Sequence, residues 1–194
     1  LIDSPNEEVE GGTDIAIIFS TPKSAYSNII KCFEKKIPVV CGTTGWLNDI
    51  DKIKRYCKVN KSTFLFSPNF SLGVNLFFKI NNSISKIMQH HDEFNSKINE
   101  IHHTSKIDSP SGTAIKIKED IDSILKKNTP IESVRIGSNK GTHEIIYESI
   151  SDTIKLSHTA KSRDSFAFGS ILCAEWLITK NGYLEMDDFL NDFS

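Results

Sequence analysis

Short apolar runs separated by helical segments limit the possible fold more than any other feature of this chain. Ile15–Phe19, Pro38–Cys41 and Thr63–Phe66 have strand length and are largely apolar. Between them lie Ser24–Lys36 and Leu47–Val59, whose apolar residues recur at helical spacing. Continuous apolar strands are typical of a sheet buried on both faces, and alternation with helices indicates a parallel, doubly wound α/β sheet.

Each of the three predicted strands ends in a short polar loop. The loops are Ser20-Thr21-Pro22, Gly42-Thr43-Thr44-Gly45 and Ser67-Pro68-Asn69-Phe70. The carboxyl ends of parallel strands share one edge of the sheet, and ligands of doubly wound sheets bind there. Such residues also make ordinary turns, so a single loop is explained as well by a turn. Three loops of the same character at one edge make a ligand site as good an explanation as ordinary turns.

The pattern changes after the third strand. Leu72–His91 reads as a long helix that could connect two domains, with a wide apolar stripe made of Val74, Phe77, Phe78, Ile80, Ile84, Ile87 and Met88. A strand near Ile98–Ile101 and a helix from Ala114 to about Lys127 follow. We therefore place a domain boundary near Phe70–Val74.

The remaining segments predict a mostly antiparallel sheet and a closing helix. Three strand-like segments follow the helix, namely Ser133–Ile136, His143–Glu148 and Thr153–His158. Ser165–Thr179 then reads as an apolar helix that Asn181-Gly182 stops, and Met186–Leu190 as a short turn or helix. One helix with such a sheet indicates an α+β domain.

Composition restricts the partners. The 194 residues carry a net charge of −2, which gives no general attraction to nucleic acid or to an anionic membrane, so an anion site must be local. No apolar run approaches the roughly 20 residues of a membrane span. The four cysteines form no CxxC pair and are predicted to be reduced, buried thiols of a cytoplasmic protein. They are Cys32, Cys41, Cys57 and Cys173.

Titratable residues concentrate between Glu100 and Ala114. His102 is the best candidate for a proton donor, because imidazole titrates near neutral pH. Lys106 is a fixed cation suited to a carboxylate or to a reacting atom, and Asp108 is expected to order the loop or pair with it. The next residues open a helix whose free N–H groups could hold a carboxylate: Ser111, Gly112 and Thr113.

Plainer explanations of this stretch remain open. A pair of histidines is more often a surface pair than a catalytic one, and Ser-Pro-Ser-Gly-Thr before a helix is ordinary N-cap chemistry. No two of the six histidines have helix-face spacing with a carboxylate partner, so we predict no metal site. The residues alone thus indicate an α/β protein with an anion-binding site that carries histidine and lysine.

The sequence of Glu100–Ala114, EIHHTSKIDSPSGTA, closely resembles the signature of the 4-hydroxy-tetrahydrodipicolinate reductase (dihydrodipicolinate reductase) family. The resemblance continues, in order, through Phe19–Pro22, Val40–Gly45, Ser67–Asn75, Arg135, Gly137, Gly141, His143, Leu156–His158, Ser162-Arg163 and Phe166–Gly169. Such a match implies a partial Rossmann-type dinucleotide-binding domain, residues 1–70 and 164–194. It also implies an α+β substrate-binding and tetramerisation domain with a mixed or antiparallel sheet, residues 71–163.

The resemblance also implies a function and a set of site residues. The family reduces a cyclic, imine-bearing dicarboxylate with a hydride from NADH or NADPH in diaminopimelate and lysine biosynthesis, as a cytoplasmic homotetramer. By position, His102 and Lys106 would be catalytic. The substrate would contact His103, Ser111, Gly112 and Thr113. The cofactor would contact Phe19, Ser20, Thr21, Gly42, Thr43, Thr44, Ser67, Pro68, Asn69 and Phe70.

One departure from the family pattern concerns the amino-terminal part of the chain. The family begins with a strand, a GxxGxxG turn and a helix, whereas this sequence opens at Leu1 with the loop-like Asp3–Asn6, and Glu10-Gly11-Gly12 is no substitute. We expect an N-terminally incomplete sequence that lacks a first βαβ unit. The alternative is a non-catalytic, dicarboxylate-binding relative that has lost its cofactor site.

Overall fold

Residues 12–193, the part of the chain that this computed structural model describes, form two compact units. The first unit combines the residues up to Leu72 with the segment from Asp164 onward, and the second is Gly73–Arg163. The loop predicted at Asp3–Asn6 lies outside the described residues. The dinucleotide-binding role of residues 1–70 and 164–194 stays a prediction, as does the substrate-binding and tetramerisation role of residues 71–163.

A parallel four-stranded sheet is the centre of the first unit. Its order is β1-β2-β3-β8, and every neighbouring pair is parallel. The strands are β1 (Ala16–Ile18), β2 (Val39–Cys41), β3 (Thr63–Phe66) and β8 (Gly182–Glu185). The predicted α/β sheet is confirmed. Strand β8 is a difference from the prediction: it begins at Gly182, and the sequence pattern reads Asn181-Gly182 only as the stop of the preceding helix.

Helices cover both faces of this sheet. They are α1 (Pro22–Glu34), α2 (Ile50–Asn60), α5 (Asp164–Leu177) and α6 (Met186–Asn191), with a 3₁₀ turn at Leu47–Asp49 before α2. In β2, Val39 and Cys41 pack into the core with α1 and α2, whereas Val40 packs with α5 and α6. Successive side chains of a strand point to opposite faces, so an all-apolar β2 requires two covered faces.

Strand β1 departs from the prediction of burial on both faces. Ala16 is half-buried and Ile17 is 41% exposed, although Ile18 is buried. The reason is position: among the described strands β1 lies at the edge of the sheet and pairs with β2 alone.

The second unit has a mixed sheet of order β5-β4-β6-β7. Its strands are β4 (Asn95–His102), β5 (Ile131–Arg135), β6 (Thr142–Glu148) and β7 (Thr153–Thr159). β4 and β5 are parallel, while β4–β6 and β6–β7 are antiparallel, which confirms the predicted mixed or antiparallel sheet. Helices α3 (Leu72–Met88) and α4 (Gly112–Leu125) contribute Phe77 and Ile117 to the core formed with Ile98 of β4.

Helix α3 buries a narrower stripe than predicted. Ile80 and Ile87 are 47% and 61% exposed, whereas the polar Asn81 and Ser85 are buried. The Ser85 hydroxyl lies 3.0 Å from the Tyr147 hydroxyl in a buried hydrogen bond. Apolar side chains alone therefore did not identify the buried face, because a buried polar group is tolerated once it has a partner.

Two further predictions concern the cysteines and membrane-spanning segments. All four cysteines are buried and unpaired, as predicted. Within residues 12–193, every helix is too short or too polar to cross a membrane.

Candidate active site

The three predicted loops of the first unit meet at one edge of its sheet. The register aligns Ile18 with Cys41 and Cys41 with Phe66, so the loops that follow these residues lie side by side. The Ser20 N–H donates to Thr43 Oγ1 at 2.8 Å. The structure therefore places these loops side by side, as the parallel sheet predicts.

An exposed aromatic ring lies on this edge. Phe19 is 58% exposed, and a Cβ added to Gly42 would overlap its ring. The Phe70 ring is 5.8 Å from that of Phe19 in an edge-to-face arrangement. A Cβ on Gly169 would in turn overlap the Phe70 carbonyl oxygen. Two glycines are thus needed to fit this aromatic pair.

Internal hydrogen bonds hold the other loop residues. Ser67 Oγ donates to the Asn69 carbonyl at 2.7 Å, and the indole of Trp46 donates to the buried Thr43 carbonyl at 2.6 Å. Exposed positions at this edge include Thr21, Thr44 and Pro68. The loops carry no charged side chain, and they offer small polar groups to a ligand.

A fully buried carboxylate, Glu100, lies at the centre of a cluster of polar side chains in the second unit. The Ser111 N–H donates to both of its oxygens, at 3.1 and 3.2 Å, and Arg135 donates to Oε1 at 2.8 Å. Oε2 lies 3.2 Å from His102 Nδ1 and 3.9 Å from His143 Nε2. The 3.2 Å contact is an ion-pair distance without hydrogen-bond alignment, since the buried His102 Nδ1 has no hydrogen-bond partner among residues 12–193.

Strand register explains how this cluster forms. Glu100 faces His143 across the β4–β6 pair, and His102 faces Arg135 across the β4–β5 pair. Glu100 and His102 are two residues apart and so share the face of β4 that α4 covers. Ser111 caps α4, accepting from the Ala114 N–H at 3.2 Å, and its hydroxyl lies 3.1 Å from His143 Nε2.

The predicted catalytic and substrate residues surround this cluster. Lys106 Nζ lies 2.7 Å from Asp108 Oδ1, so Asp108 pairs with Lys106 as expected. His103 is half-buried, with Nδ1 2.8 Å from Ser105 Oγ. A Cβ on Gly112 would meet no described residue within 4 Å, so the part of the chain that the structure describes leaves space open above the first turn of α4, which Thr113 continues. The first N–H groups of a helix lack partners within it and can bind an anion there.

Burial and charge shift the titration of the cluster. Burial by itself would raise the pKa of Glu100, but the hydrogen bonds from Ser111 and Arg135 outweigh it and hold the pKa at about 2. Burial lowers the pKa of His143 to about 4, with the neighbouring His102 acting in the same direction. Burial likewise lowers the pKa of His102, and Glu100 opposes that effect.

Three of these side chains also have the composition of a metal site. The nearest ligand atoms of Glu100, His102 and His143 all lie within 4.8 Å of one another. Helix spacing gave no sign of this grouping, because two strands rather than one helix assemble it. Arg135 and the Ser111 N–H already occupy the Glu100 oxygens, and a guanidinium at 2.8 Å opposes a second cation. The geometry fits a charge cluster better than a metal site.

Sequence reasoning gave no role to four residues of this site: Glu100, Arg135, Gly141 and His143. Gly141 has a φ of +136°, and a Cβ there would lie 3.0 Å from His102 Nε2. Only the pairing of β4 with β5 and β6 reveals these neighbours, since 35 residues separate Glu100 from Arg135.

Fold and site together define a two-unit α/β protein. One unit has an uncharged loop edge, and the other has a buried cluster in which two histidines surround the Glu100–Arg135 ion pair. Residues 1–70 match the family model described as dihydrodipicolinate reductase, N-terminus, and residues 73–190 match its C-terminus. The chain belongs to the dihydrodipicolinate reductase family.

Two individual relatives support this family membership. The chain is 44% identical over 191 residues to the 4-hydroxy-tetrahydrodipicolinate reductase of Christiangramia forsetii, covering 92% of this chain and 80% of that protein. It is 36% identical over 198 residues to the reductase of the same name from Archaeoglobus fulgidus, covering 91% of this chain and 76% of that protein.

A solved structure supports the fold. Dipicolinate-bound dihydrodipicolinate reductase from Paenisporosarcina sp. TG-14 superposes with a TM-score of 0.79 at 22% sequence identity, covering 89% of this chain and 71% of that one.

Proposed function

We propose that the protein is an NAD(P)H-dependent 4-hydroxy-tetrahydrodipicolinate reductase of diaminopimelate and L-lysine biosynthesis. Relatives with 44% and 36% identity over most of the chain carry that name. The observation that carries the proposal is the site itself. His102 is buried beside a carboxylate, near a lysine and an open helix N-terminus, which suits proton transfer to a bound anion.

The first unit suits a nicotinamide cofactor. NADH or NADPH, when bound, supplies the hydride of the reduction. Phe19 presents an exposed ring for stacking, and the loops offer hydroxyl and backbone groups at the edge where parallel α/β sheets bind ligands. The contacts proposed for the cofactor are Phe19, Ser20, Thr21, Gly42, Thr43, Thr44, Ser67, Pro68, Asn69 and Phe70.

The second unit provides the proton and the anion contacts. Reduction adds one hydride and one proton, and His102 is the proposed donor of the proton. General acid catalysis by such a group contributes about 10²–10⁴ in rate. Lys106 is the proposed second catalytic residue, a cation beside the reacting atoms. The substrate is a cyclic dicarboxylate, and its proposed contacts are His103, Ser111, Gly112 and Thr113. The dipicolinate bound by the Paenisporosarcina reductase is a ligand of this type.

A cytoplasmic homotetramer completes the proposal. The face of the second sheet opposite α3 and α4 carries Val134, which is 39% exposed, and β5 is an edge strand of that sheet. An edge of β5 that is open among the strands described, with an exposed apolar residue on it, suits assembly through the sheet. Light scattering of the purified protein tests this, and a monomer at micromolar concentration would contradict it.

Turnover and calorimetry together test the function. The purified protein should oxidise NADH or NADPH only when 4-hydroxy-tetrahydrodipicolinate is supplied. It should also bind both pyridine-2,6-dicarboxylate and a reduced nicotinamide cofactor. Binding of the dicarboxylate without either cofactor, and without turnover, would identify the non-catalytic relative instead and overturn the proposal.

A further inference from the structure

Glu100 is the most deeply buried charge of the site, and proton transfer to a substrate does not by itself require it. Its side chain has no exposed surface, yet its low pKa keeps it ionised. A buried carboxylate is costly unless it is paired and hydrogen-bonded. Contacts with Ser111 and Arg135 offset that cost here, so several groups of the fold act together to keep one negative charge at this point.

The two oxygens of this carboxylate face different groups. Oε1 accepts from Arg135, a permanent cation, at 2.8 Å. Oε2 faces both imidazoles, 3.2 Å from His102 Nδ1 and 3.9 Å from His143 Nε2. The carboxylate thus connects a fixed positive charge to the ring nitrogen of His102 that points inward.

The other ring nitrogen of His102 lies against a space kept free by glycine. A Cβ on Gly141 would come within 3.0 Å of His102 Nε2. With Nδ1 directed at Glu100, Nε2 is the atom left for proton delivery. The negative charge of a carboxylate beside Nδ1 favours the form of the ring that carries a proton on Nδ1, and so the orientation that turns Nε2 away from the carboxylate.

Building on the function proposed above, we propose that Glu100 is a positioning residue for His102. Its carboxylate, clamped by Arg135 and Ser111, holds Nδ1 inward, so that Nε2 presents the transferable proton.

The charged groups around His102 predict the direction in which its pKa should change when Glu100 or Arg135 is replaced. Facing it are Glu100 on its own strand, Arg135 on β5, His143 on β6, and Lys106 and Asp108 in the loop that follows β4. Burial lowers the pKa of His102, Glu100 is the largest opposing influence, and Lys106 and Arg135 lower the pKa further. Removing Glu100 must therefore lower this pKa, and removing Arg135 must raise it.

Two variants with opposite expected signs test the proposal. In the full protein, Glu100→Gln should lower the pKa of His102, followed by NMR of the imidazole, by about one unit. Arg135→Met should raise it. Wild-type spectra are assigned with His102→Gln, and circular dichroism confirms folding. Glu148→Gln, which removes an exposed carboxylate paired with Lys97 at 3.2 Å, is the matched control and should leave the pKa unchanged.

Kinetics provide the second measurement. Because the proton donor must be protonated, kcat falls as the pH rises through its pKa. That descending limb should move to lower pH by about one unit in Glu100→Gln, with KM changed less than kcat, and to higher pH in Arg135→Met.

Shifts of one sign in both variants, or no shift in either, would overturn the positioning role. If Glu100→Gln does not fold, a pKa of His102 that fails to rise in Arg135→Met overturns it equally. Absence of turnover in the wild type, with the NMR shifts as expected, would overturn the proposed reaction and leave the Glu100–His102 pairing standing.

Discussion

The loop edge of the first sheet is held together differently from the Glu100 cluster of the second unit, which consists of Glu100, His102, Ser111, Arg135 and His143. The loop edge consists of neutral turns, each continuous in sequence and tied by hydrogen bonds such as Ser20 N–H to Thr43 Oγ1 at 2.8 Å. The Glu100 cluster consists of ionisable side chains from three strands and a helix cap, nearly all buried. A site of the first kind depends on local backbone shape, and one of the second kind depends on strand register and on pH.

The histidines and the tryptophans lie in different units, so the stability of each unit can be followed separately. All six histidines lie within residues 73–163, and both tryptophans, Trp46 and Trp176, lie in the first unit. Acid should therefore act on the second unit through imidazoles, while tryptophan fluorescence reports on the first.

The largest effect should come from His102. His102→Gln removes the proposed proton donor without emptying the site, so kcat should fall by about 10²–10⁴. Calorimetric affinity for pyridine-2,6-dicarboxylate should change by no more than about twofold, since this side chain is not among the proposed anion contacts. His90→Gln, the same substitution at an exposed residue after α3, is the control. Turnover of His102→Gln equal to that of the control would refute the assignment.

Acid should destabilise the second unit through His143. Its pKa in the folded protein is about 4, below the ordinary 6.5, because burial disfavours the charged ring. The unfolded chain therefore takes up this proton first. The stabilisation is complete above about pH 6.5 and is lost as the pH falls towards 4, by about 3 kcal/mol in all.

Hydrogen exchange at pH 7 and at pH 4.5 measures this loss. Protection of β4 and β6 should fall at the lower pH, and His143→Gln should reduce the fall. The urea midpoint followed by tryptophan fluorescence should move less, since the first unit has no histidine. An equal loss of protection in β2 and β3 would break the contrast between the units.

A smaller effect is expected at the loop edge. Gly42→Ala places a Cβ where the Phe19 ring lies, so the ring must move away from the edge. Loss of one aromatic contact costs about 1 kcal/mol, so the Kd for NADH or NADPH should rise roughly fivefold. Affinity for pyridine-2,6-dicarboxylate should stay unchanged.

A double-mutant cycle shows whether that effect passes through the ring. Phe19→Ala should weaken cofactor binding about as much as Gly42→Ala does. The double variant should be no weaker than Phe19→Ala alone, because the residue displaced is already absent. Additive losses would mean that Gly42 contacts the cofactor independently of Phe19.

The smallest effect is expected for an exposed ion pair. Lys97 Nζ lies 3.2 Å from Glu148 Oε2 across the β4–β6 pair, and the two side chains are 44% and 52% exposed. Glu148→Gln should change the free energy of unfolding by no more than about 0.5 kcal/mol, measured by urea denaturation. A larger loss would show that ion pairs in this unit are strong even when exposed, and that burial is not what distinguishes the Glu100 cluster.

Local patterns explain what could be predicted from the sequence. β3 and α5 were located within a few residues because apolar runs and helical spacing are local signals. The three polar loops were placed at one edge because parallel strands allow no other arrangement. His102 and Lys106 stood out through residue type alone.

Long-range pairing explains what was missed. The Glu100 cluster depends on which residue of β6 faces Glu100, and a shift of one residue would turn His143 to the other face. Nothing in a single sequence sets that register visibly. Strand β8 was missed for a similar reason: its four residues become a strand only through pairing with β3.

The pairing of β3 with β8 also bears on how the chain is synthesised. Thr63 aligns with Gly182, and the Thr63 hydroxyl donates to the Lys180 carbonyl at 3.1 Å, across 117 residues. On the ribosome, β4, β5, β6 and β7 of the second unit emerge before β8, the strand that pairs with β3. The second unit can therefore complete its sheet while β3 still has an open edge, which closes only after Gly182–Glu185 have been synthesised. A stop codon just before Gly182 would leave the histidine cluster intact and the edge of β3 open.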